Sequence, residues 1–164
     1  MAMKSLSDVY EEQLKDIYSA EKQITAALPK MADAASNADL KKAFKAHLKQ
    51  TKGQMKRIDK IFKARGMRPG RKKCKGMKGL VEEGEDAIKA AKKSAARDAA
   101  LIGAAQKVEH YEIATYGTLQ RYAELLGETE QAQLLQTSLE EESQTDELLT
   151  QLAQTVNKKA QGSK

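Results

Sequence analysis

The sequence predicts a single all-helical domain over residues 1–164, and two observations lead to that prediction. Good helix formers dominate the composition, whereas proline occurs only twice and aromatic residues make up 4% of the chain. Four long segments also repeat apolar residues at alternating spacings of three and four, as an amphipathic helix does. Runs of β-branched and aromatic residues, which a β-sandwich or barrel needs, are few.

The first two long helices are predicted over residues 7–34 and 38–65. Ser7 is the expected N-cap of the first helix, because it precedes acidic residues that favour the positive end of a helix. Pro29 lies inside this helix and is expected to bend it near its end. Gly66 is expected to end the second helix, since glycine readily adopts the left-handed conformation that follows many helices.

The second half of the chain supplies two more long helices, predicted over residues 95–126 and 130–156. A loop over residues 67–74 and a shorter helix over 78–92 separate the two pairs. The basic tail from about residue 158 carries no large apolar residue and is expected to fray.

The lengths of the connections indicate how these helices pack. Short links join the two members of each pair, and short links place helices antiparallel to each other. The stretch over residues 66–94 is long enough to carry the chain across the bundle. This order of hairpin, crossover and hairpin predicts a ferritin-like antiparallel four-helix bundle with a short fifth helix in the long crossover.

Each long helix has an apolar seam that becomes polar near its middle. The seam positions, helix by helix, are Leu14, Ile17, Glu21, Ile24, Leu28 and Met31; Leu40, Phe44, His47, Thr51, Gln54, Ile58 and Ile61; Leu101, Ala105, Val108, Glu112, Thr115, Leu119, Tyr122 and Leu126; and Leu135, Ser138, Glu142, Thr145, Leu149, Leu152 and Val156. Three of the four seams have a glutamate at the midpoint. Antiparallel helices of similar length align their midpoints, so these glutamates are expected to face one another.

A buried layer of carboxylates needs a partner that offsets its charge. Glu21, Glu112 and Glu142 would repel one another in a low-dielectric interior. A multivalent cation that prefers oxygen ligands, such as iron or manganese, is one solution. Glu109 and Asp146 each lie one turn from a seam glutamate and border the same layer.

A polar layer without metal is the alternative. Protonated carboxyl pairs, tyrosine hydroxyls or basic side chains that reach in from the seam edges can also satisfy buried glutamates, and such layers can fix helix register. His47 lies on the second seam, about a turn from the glutamates, where it is either a hydrogen-bonded core residue or a ligand. The residues alone leave these alternatives open.

The charge of the chain is segregated, although its net value is only +6. Residues 37–75 contain 15 lysines and arginines against two aspartates, whereas residues 109–147 contain ten acidic residues against one arginine. A basic segment such as 41–75 can bind nucleic acid or an anionic surface. It can equally pack beside an acidic helix of the same fold or of a partner subunit. Nucleic acid is the less favoured partner, because no recognition motif accompanies the basic residues.

The N-terminus and the single cysteine bear on localisation. No apolar run approaches the length of a membrane span, and residues 1–6 lack the apolar core of a signal peptide. A cytoplasmic location without membrane contact is therefore expected. Cys74 has no second cysteine to pair with, and its basic loop is expected to lower the pKa of its thiol.

Several motifs resemble those of a known bacterial family. They are Tyr18-Ser19-Ala20-Glu21-Lys22-Gln23, His47-Leu48, Arg57-Ile58-Asp59, Ala104-Ala105-Gln106-Lys107-Val108-Glu109-His110-Tyr111-Glu112-Ile113-Ala114, Tyr116-Gly117-Thr118-Leu119 and Leu139-Glu140-Glu141-Glu142. Over residues 3–159 the chain resembles the YciF/YciE family of ferritin-like bacterial stress proteins. The resemblance implies a rubrerythrin-like arrangement of five helices, a homodimer, and a dinuclear metal site between the helices.

One departure from the family pattern affects the site that the resemblance implies. Family members carry glutamates after His47-Leu48, where this chain has Lys49 and Gln50. The second helix therefore supplies no carboxylate near the layer, and the site is expected to hold one metal, to hold it weakly or to hold none. Lys49 or Lys52 could also replace the metal with an ion pair.

Two functions follow as hypotheses. The first is a stress-related protein with an iron or manganese site and, if it is an enzyme, an oxidase or peroxide-consuming activity. Its expected ligands are Glu21, Glu109, Glu112 and Glu142, with His47, Gln50, Gln54 and Asp146 lining the site. The second is a metal-free structural or interaction protein that acts through its dimer surface and its segregated charge. No catalytic residue is predicted.

Overall fold

The computed structural model describes residues 3–162, and within that range the chain forms five α-helices and no strand. The helices are α1 (Leu6–Ala34), α2 (Ala38–Ala64), α3 (Lys75–Ala90), α4 (Ala95–Leu125) and α5 (Thr129–Gly162). The predicted all-helical class is therefore confirmed. Among the described residues, no helix combines the length and the apolar character that crossing a lipid bilayer requires.

Helix α1 begins earlier than the sequence pattern predicts, because a capping box starts it at Ser5. The Ser5 hydroxyl accepts a hydrogen bond from the Asp8 amide at 3.1 Å, and the Asp8 carboxylate accepts one from the Ser5 amide at 2.9 Å. Ser7, the predicted cap, instead accepts a hydrogen bond of 2.8 Å from Arg65 at the end of α2. The helix then continues past Pro29 to its end.

Glycines follow the ends of α2 and α4, and the one after α2 is the predicted Gly66. Gly66 and Gly127 have φ angles of +64° and +75°, in the left-handed region that glycine enters without steric cost. The next amides, of Met67 and Glu128, donate to the carbonyls five residues earlier at 2.8 and 2.9 Å. This pattern satisfies carbonyls that the helix itself leaves unpaired and turns the chain sharply.

Two other boundaries differ from the prediction. Helix α3 begins at Lys75, where Cys74 caps it, and not at residue 78. Helix α5 continues to Gly162, beyond the predicted end at residue 156. Residues 158–162, which were expected to fray, are helical because lysine, alanine and glutamine continue the helix until that glycine. Residues 163 and 164 lie outside the described range.

Contacts between helix ends show how the four long helices pack. Arg65 at the end of α2 lies 3.0 Å from Glu11 near the start of α1 and 3.0 Å from Glu128 just before α5. At the opposite end, Asp98 near the start of α4 accepts hydrogen bonds from the Ser36 and Asn37 amides, between α1 and α2. The long helices thus form a ring in the order α1, α2, α5 and α4, with neighbours antiparallel. Helix α3 packs on α1 and α4 as the chain crosses between the two ends.

The predicted seams form the core, with a shift in α4. Every seam residue of α1 and α2 is buried. In α4, Tyr116 and Ala123 are buried, whereas the predicted Thr115 and Tyr122 are only half-buried. A straight helix turns every 3.6 residues, so a strict 3.5-residue repeat drifts around a helix of 31 residues.

The segregated charges meet in part within one chain. Arg57 on α2 donates two hydrogen bonds of 2.7 Å to the carboxylate of Glu141 on α5, and Arg65 pairs with Glu128. The lysines of α2 behave differently, because none of them takes part in an ion pair within residues 3–162. The basic helix is therefore anchored to the acidic one by arginines, while its lysines remain available at the surface.

Replacing Asp98 by alanine is expected to lower the free energy of unfolding by about 1–2 kcal/mol. The side chain is 2% exposed and accepts hydrogen bonds of 2.7 and 2.8 Å from the Ser36 and Asn37 amides, so its loss leaves two amides at the junction of α1 and α2 without their acceptor. Asp86→Ala is the matched control because that side chain is 79% exposed. Urea unfolding followed by circular dichroism measures both variants. Equal effects of the two substitutions would show that the Asp98 contacts do not stabilise the helix junction.

Gly76 in the first turn of α3 is expected to tolerate alanine poorly. A Cβ atom there would lie 2.8 Å from Cε2 of Tyr111, whose hydroxyl is held by Asp16 at 2.8 Å and by Cys74 Sγ at 2.9 Å. Gly76→Ala should therefore lower the free energy of unfolding by about 1–2 kcal/mol. Gly79→Ala, whose Cβ meets nothing within 4 Å, should raise it by about 0.5–1 kcal/mol. Stabilisation by both substitutions in urea unfolding would contradict a fixed tyrosine ring.

Candidate metal centre

Four buried side chains converge in the middle of the ring of helices, and we call them the His–Glu centre. They are His47, Glu109, Glu112 and Glu142, and each offers one ligand atom within 4.8 Å of the other three. Helix α2 supplies the histidine, α5 supplies Glu142, and α4 supplies two glutamates that share one face because they are three residues apart. None of the four is more than 3% exposed.

The imidazole of His47 lies between the carboxylates. Its Nδ1 is 3.1 Å from Oε1 of Glu109, and its Nε2 is 3.2 Å from Oε2 of Glu142. Oε2 of Glu112 is further away, at 3.9 Å from Nε2. Because each ring nitrogen offers one proton or one lone pair, the histidine can pair well with only two of the three carboxylates.

Unpaired polar atoms concentrate in this layer of the protein. The buried atoms there that lack a hydrogen-bond partner are Glu21 Oε2, His47 Nε2, Gln54 Oε1, both carboxyl oxygens of Glu109, both of Glu112, and Glu142 Oε2. Elsewhere within residues 3–162, only the Nε atoms of two arginines share this condition. An unpaired buried polar group costs about 1–3 kcal/mol, so the layer is suited to a species that all these atoms can contact.

Burial and mutual repulsion favour the protonated form of two glutamates in the centre. Loss of water raises the pKa of Glu112 well above its ordinary value, and the charges of Glu142 and Glu21 add to this effect. Burial likewise raises the pKa of Glu109, with a further contribution from Glu142. Burial opposes the ionisation of Glu142 too, but the close polar contacts of its carboxylate with His47 and Glu109 outweigh this effect and lower the pKa of Glu142. Without metal, the centre therefore favours protons on Glu109 and Glu112 and a negative charge on Glu142.

Glu21, an expected ligand, lies in the same layer but outside the four-residue centre. Its side chain is fully buried and accepts a hydrogen bond from the hydroxyl of Tyr116. Burial, together with the charge of Glu142, raises the pKa of Glu21 to about 8. Burial also raises the pKa of Tyr116 well above its ordinary value, so the hydroxyl stays protonated and remains a donor to Glu21.

Helix α2 contributes to the layer the amide of Gln54, which was predicted to line the site. Gln54 is fully buried and donates hydrogen bonds to Glu142 and, at 3.2 Å, to Glu141. Lys49 and Lys52 are both exposed and form no ion pair within residues 3–162, so neither replaces a cation in the layer. The expectation that Lys49 or Lys52 reaches the glutamates is therefore wrong.

Two expected lining residues are not brought into the centre. Gln50 is half-buried and accepts a hydrogen bond of 3.2 Å from the Thr145 hydroxyl on α5. Asp146 is half-buried and lies 3.3 Å from Nε2 of the exposed His110. Gln50 thus lies at the boundary between α2 and α5, and Asp146 lies at the boundary between α4 and α5. The partner of each is a side chain of the neighbouring helix.

Cys74 is buried, although it ends a basic loop. Its Sγ accepts a hydrogen bond of 3.4 Å from the Met77 amide and lies beside the Tyr111 hydroxyl. Burial and a hydrogen bond with Asp16 raise the pKa of the thiol, so the predicted lowering is wrong. The loop lysines next to it are exposed, where water screens their charge. Sequence reasoning missed this contact because its members come from α1, α4 and the loop.

The fold and site define the class as a helical bundle with a buried histidine–glutamate centre. The chain belongs to the family described as Domain of unknown function (DUF892), which matches residues 5–161. Protein YciF of Escherichia coli (strain K12) is 53% identical over 163 residues, which cover 98% of this chain and 98% of that protein. The predicted resemblance to the YciF family is therefore confirmed.

Solved structures support the same assignment. The crystal structure of the E. coli stress protein YciF matches with a TM-score of 0.92 and 51% identity, covering 96% of this chain and 99% of that chain. YcfI from Rhodopseudomonas palustris matches with a TM-score of 0.86 and 40% identity, covering 90% and 94%. A protein from Xanthomonas campestris has a TM-score of 0.75 at 20% identity, covering 93% of each chain, and supports the fold alone.

Glu112→Gln is expected to stabilise the metal-free protein at pH 8 and to change its stability little at pH 5. Because the pKa of Glu112 is raised in the folded state, folded-state stability is lost as pH rises from the unfolded-state pKa towards the folded-state pKa. The amide keeps the shape of the side chain and removes this penalty, which should yield about 1–2 kcal/mol at pH 8. Urea unfolding in the presence of a chelator measures the effect at both pH values.

The control for this experiment is Glu147→Gln on α5, which makes the same chemical change at an exposed position. It should leave stability nearly unchanged at both pH values. Destabilisation by Glu112→Gln at pH 8 would mean that the carboxylate form is favoured in the metal-free layer, against the pKa direction given above.

Proposed function

We propose that this protein is a ferritin-like bundle that binds one divalent iron or manganese ion through His47, Glu109, Glu112 and Glu142. The observation that carries the proposal is the set of unpaired acceptor oxygens on Glu109 and Glu112, both buried in the same layer. One cation within reach of all four side chains would satisfy these oxygens and offset the repulsion between them.

The chemistry of the donor set fits such an ion. Carboxylate oxygens suit manganese and ferrous iron, and an imidazole nitrogen extends the preference towards iron. The four donor atoms come from three helices, and His47 and Glu142 are already within 3.2 Å of each other. Contacts from neighbouring residues hold the layer, since Gln54 donates to Glu142 and Tyr116 donates to Glu21.

Protons alone satisfy this layer less completely than a cation does. A protonated carboxyl group still needs an acceptor for its proton and a donor for its other oxygen. The oxygens of Glu109 and Glu112 lack hydrogen-bond partners, although the pKa values of both groups favour protonation. Displacement of these protons by a metal ion is therefore the arrangement that uses every donor atom in the centre.

The proposed ion suggests a role in the response to oxidants. A redox-active ion held here would supply electrons for the reduction of dioxygen or peroxide. The E. coli relative is described as a stress protein, and we extend that role to this chain. The residues of the chain would bind and orient the ion and shield it from bulk water, because all four donors are buried.

Addition of Mn(II) to the chelator-stripped protein is expected to raise the thermal unfolding midpoint by several degrees. A ligand at 100 times its dissociation constant adds about 2.7 kcal/mol of stability, which corresponds to roughly 5–10 °C for a protein of this size. Glu112→Gln should remove most of this shift, whereas Glu147→Gln at an exposed site should keep it. Elemental analysis should find about one ion per chain.

The outcome that contradicts the proposal is a midpoint that does not respond to Mn(II) or Fe(II). A shift of equal size in Glu112→Gln and in the unmodified protein would also contradict it, because the ion would then bind elsewhere.

A second candidate function is binding of an anionic partner through α2. The exposed lysines Lys49, Lys52 and Lys56 lie on this helix and form no ion pair within residues 3–162. Reversing these three charges should weaken such binding, and added salt should weaken it in the unmodified protein. The homodimer stays a prediction from the resemblance.

A further inference from the structure

A narrow cavity of about 30 Å³ lies between α1, α3 and α4, beside the His–Glu centre. Its walls are largely apolar, and the side chains that line it include Ile24, Leu28, Met31, Leu80, Ile88 and Val108. At one end it reaches His47 and Glu109, which are buried. The cavity therefore leads to the side of the centre where the histidine meets α4.

Small residues keep this space open. Gly84 on α3 lines the cavity and is buried, yet a Cβ atom built on it would meet nothing within 4 Å. A buried glycine in a close-packed core would normally have neighbours at that distance. Ala27 on α1 and Ala104 on α4 line the same cavity from the facing helices. The gap is thus maintained by short side chains on all three helices.

The other end of the cavity reaches the surface. Lys30 and Glu85, which also line it, are 62% and 35% exposed. Their side chains form an ion pair of 2.9 Å that joins α1 to α3 across this outer end. An exposed ion pair of this kind contributes little stability and breaks readily. The cavity therefore connects solvent with the His–Glu centre through a polar mouth and an apolar interior.

The size and lining of the cavity select what it can admit. A water molecule needs roughly 10–15 Å³ of such volume, so the cavity has room for only about two or three non-hydrogen atoms. Apolar walls do not compensate an ion or a strongly polar molecule for lost hydration. A small uncharged molecule such as dioxygen meets both conditions.

We propose that this cavity is the route by which dioxygen reaches the His47–Glu109 side of the centre. The purpose of the route rests on the proposed function, because dioxygen would meet a metal ion there. Entry of dioxygen itself needs no metal, since the cavity is formed by the chain alone. The two ideas can therefore fail separately.

The test uses the full-length metal-free protein with methyl groups labelled for NMR. Dioxygen is paramagnetic and speeds the relaxation of nearby nuclei, and nitrogen at the same pressure serves as the diamagnetic reference. We expect stronger relaxation at Ile24, Leu28 and Val108 than at Leu149, which is buried on α5 away from the cavity. Equal relaxation at all buried methyl groups would overturn the proposal.

Matched glycine variants show whether the cavity itself carries the effect. Gly84→Leu places a side chain in the gap and should reduce relaxation at Val108 to the level of Leu149. Gly79→Leu makes the same change on α3 outside the cavity and should leave the pattern unchanged. Retention of the signal in Gly84→Leu, or its loss in both variants, would contradict the proposed route.

Two further measurements keep the test decisive. If Gly84→Leu does not fold, Ala27→Leu fills the cavity from α1, with the exposed Ala26→Leu as its control. The Mn(II)-dependent rise in the thermal midpoint should be retained in the cavity variants. Absence of that rise in the unmodified protein would refute the metal site. The NMR relaxation of the cavity methyl groups would still decide whether dioxygen enters the cavity.

Discussion

The electrostatic cost of burying four glutamates in one layer is the constraint on which the rest of this structure depends. Glu21, Glu109, Glu112 and Glu142 are each fully buried, and a single imidazole faces three of them. Such a layer persists only if protons or a cation neutralise it and if the surrounding core is strong enough to enclose it. The apolar layers above and below the glutamates supply that enclosure through the long helices.

The connections of the chain hold this layer in register. The capping box at Ser5, the Arg65 contacts at one end of the ring and the Asp98 contacts at the other fix where each helix starts. Because a shift of one residue rotates a side chain by about 100° around the helix, small errors at these ends would move the ligands apart. Features far from the centre thus determine whether its four donors converge.

Sequence reasoning predicted the helical class, all five helices with every boundary but the end of α5 within a few residues, and the glutamates of the layer. Periodicity was sufficient for Glu112, but it placed Glu109 at the border, because α4 packs against α1, α3 and α5 and buries more than one narrow stripe. The burial of Cys74 was not predictable, since its contacts with Tyr111 and Asp16 join distant parts of the chain. Local patterns cannot report pairings that only the packed helices create.

The amide of Gln54 has a consequence for how this family member can change. It occupies a fully buried position on α2 and donates to Glu142, and glutamine and glutamate codons differ only in their first base. A single nucleotide substitution would therefore replace this hydrogen-bond donor with a glutamate, and α2 would then add a further negative charge to the layer. The chain stands one mutational step from a more acidic core whose folding would depend more strongly on bound cations.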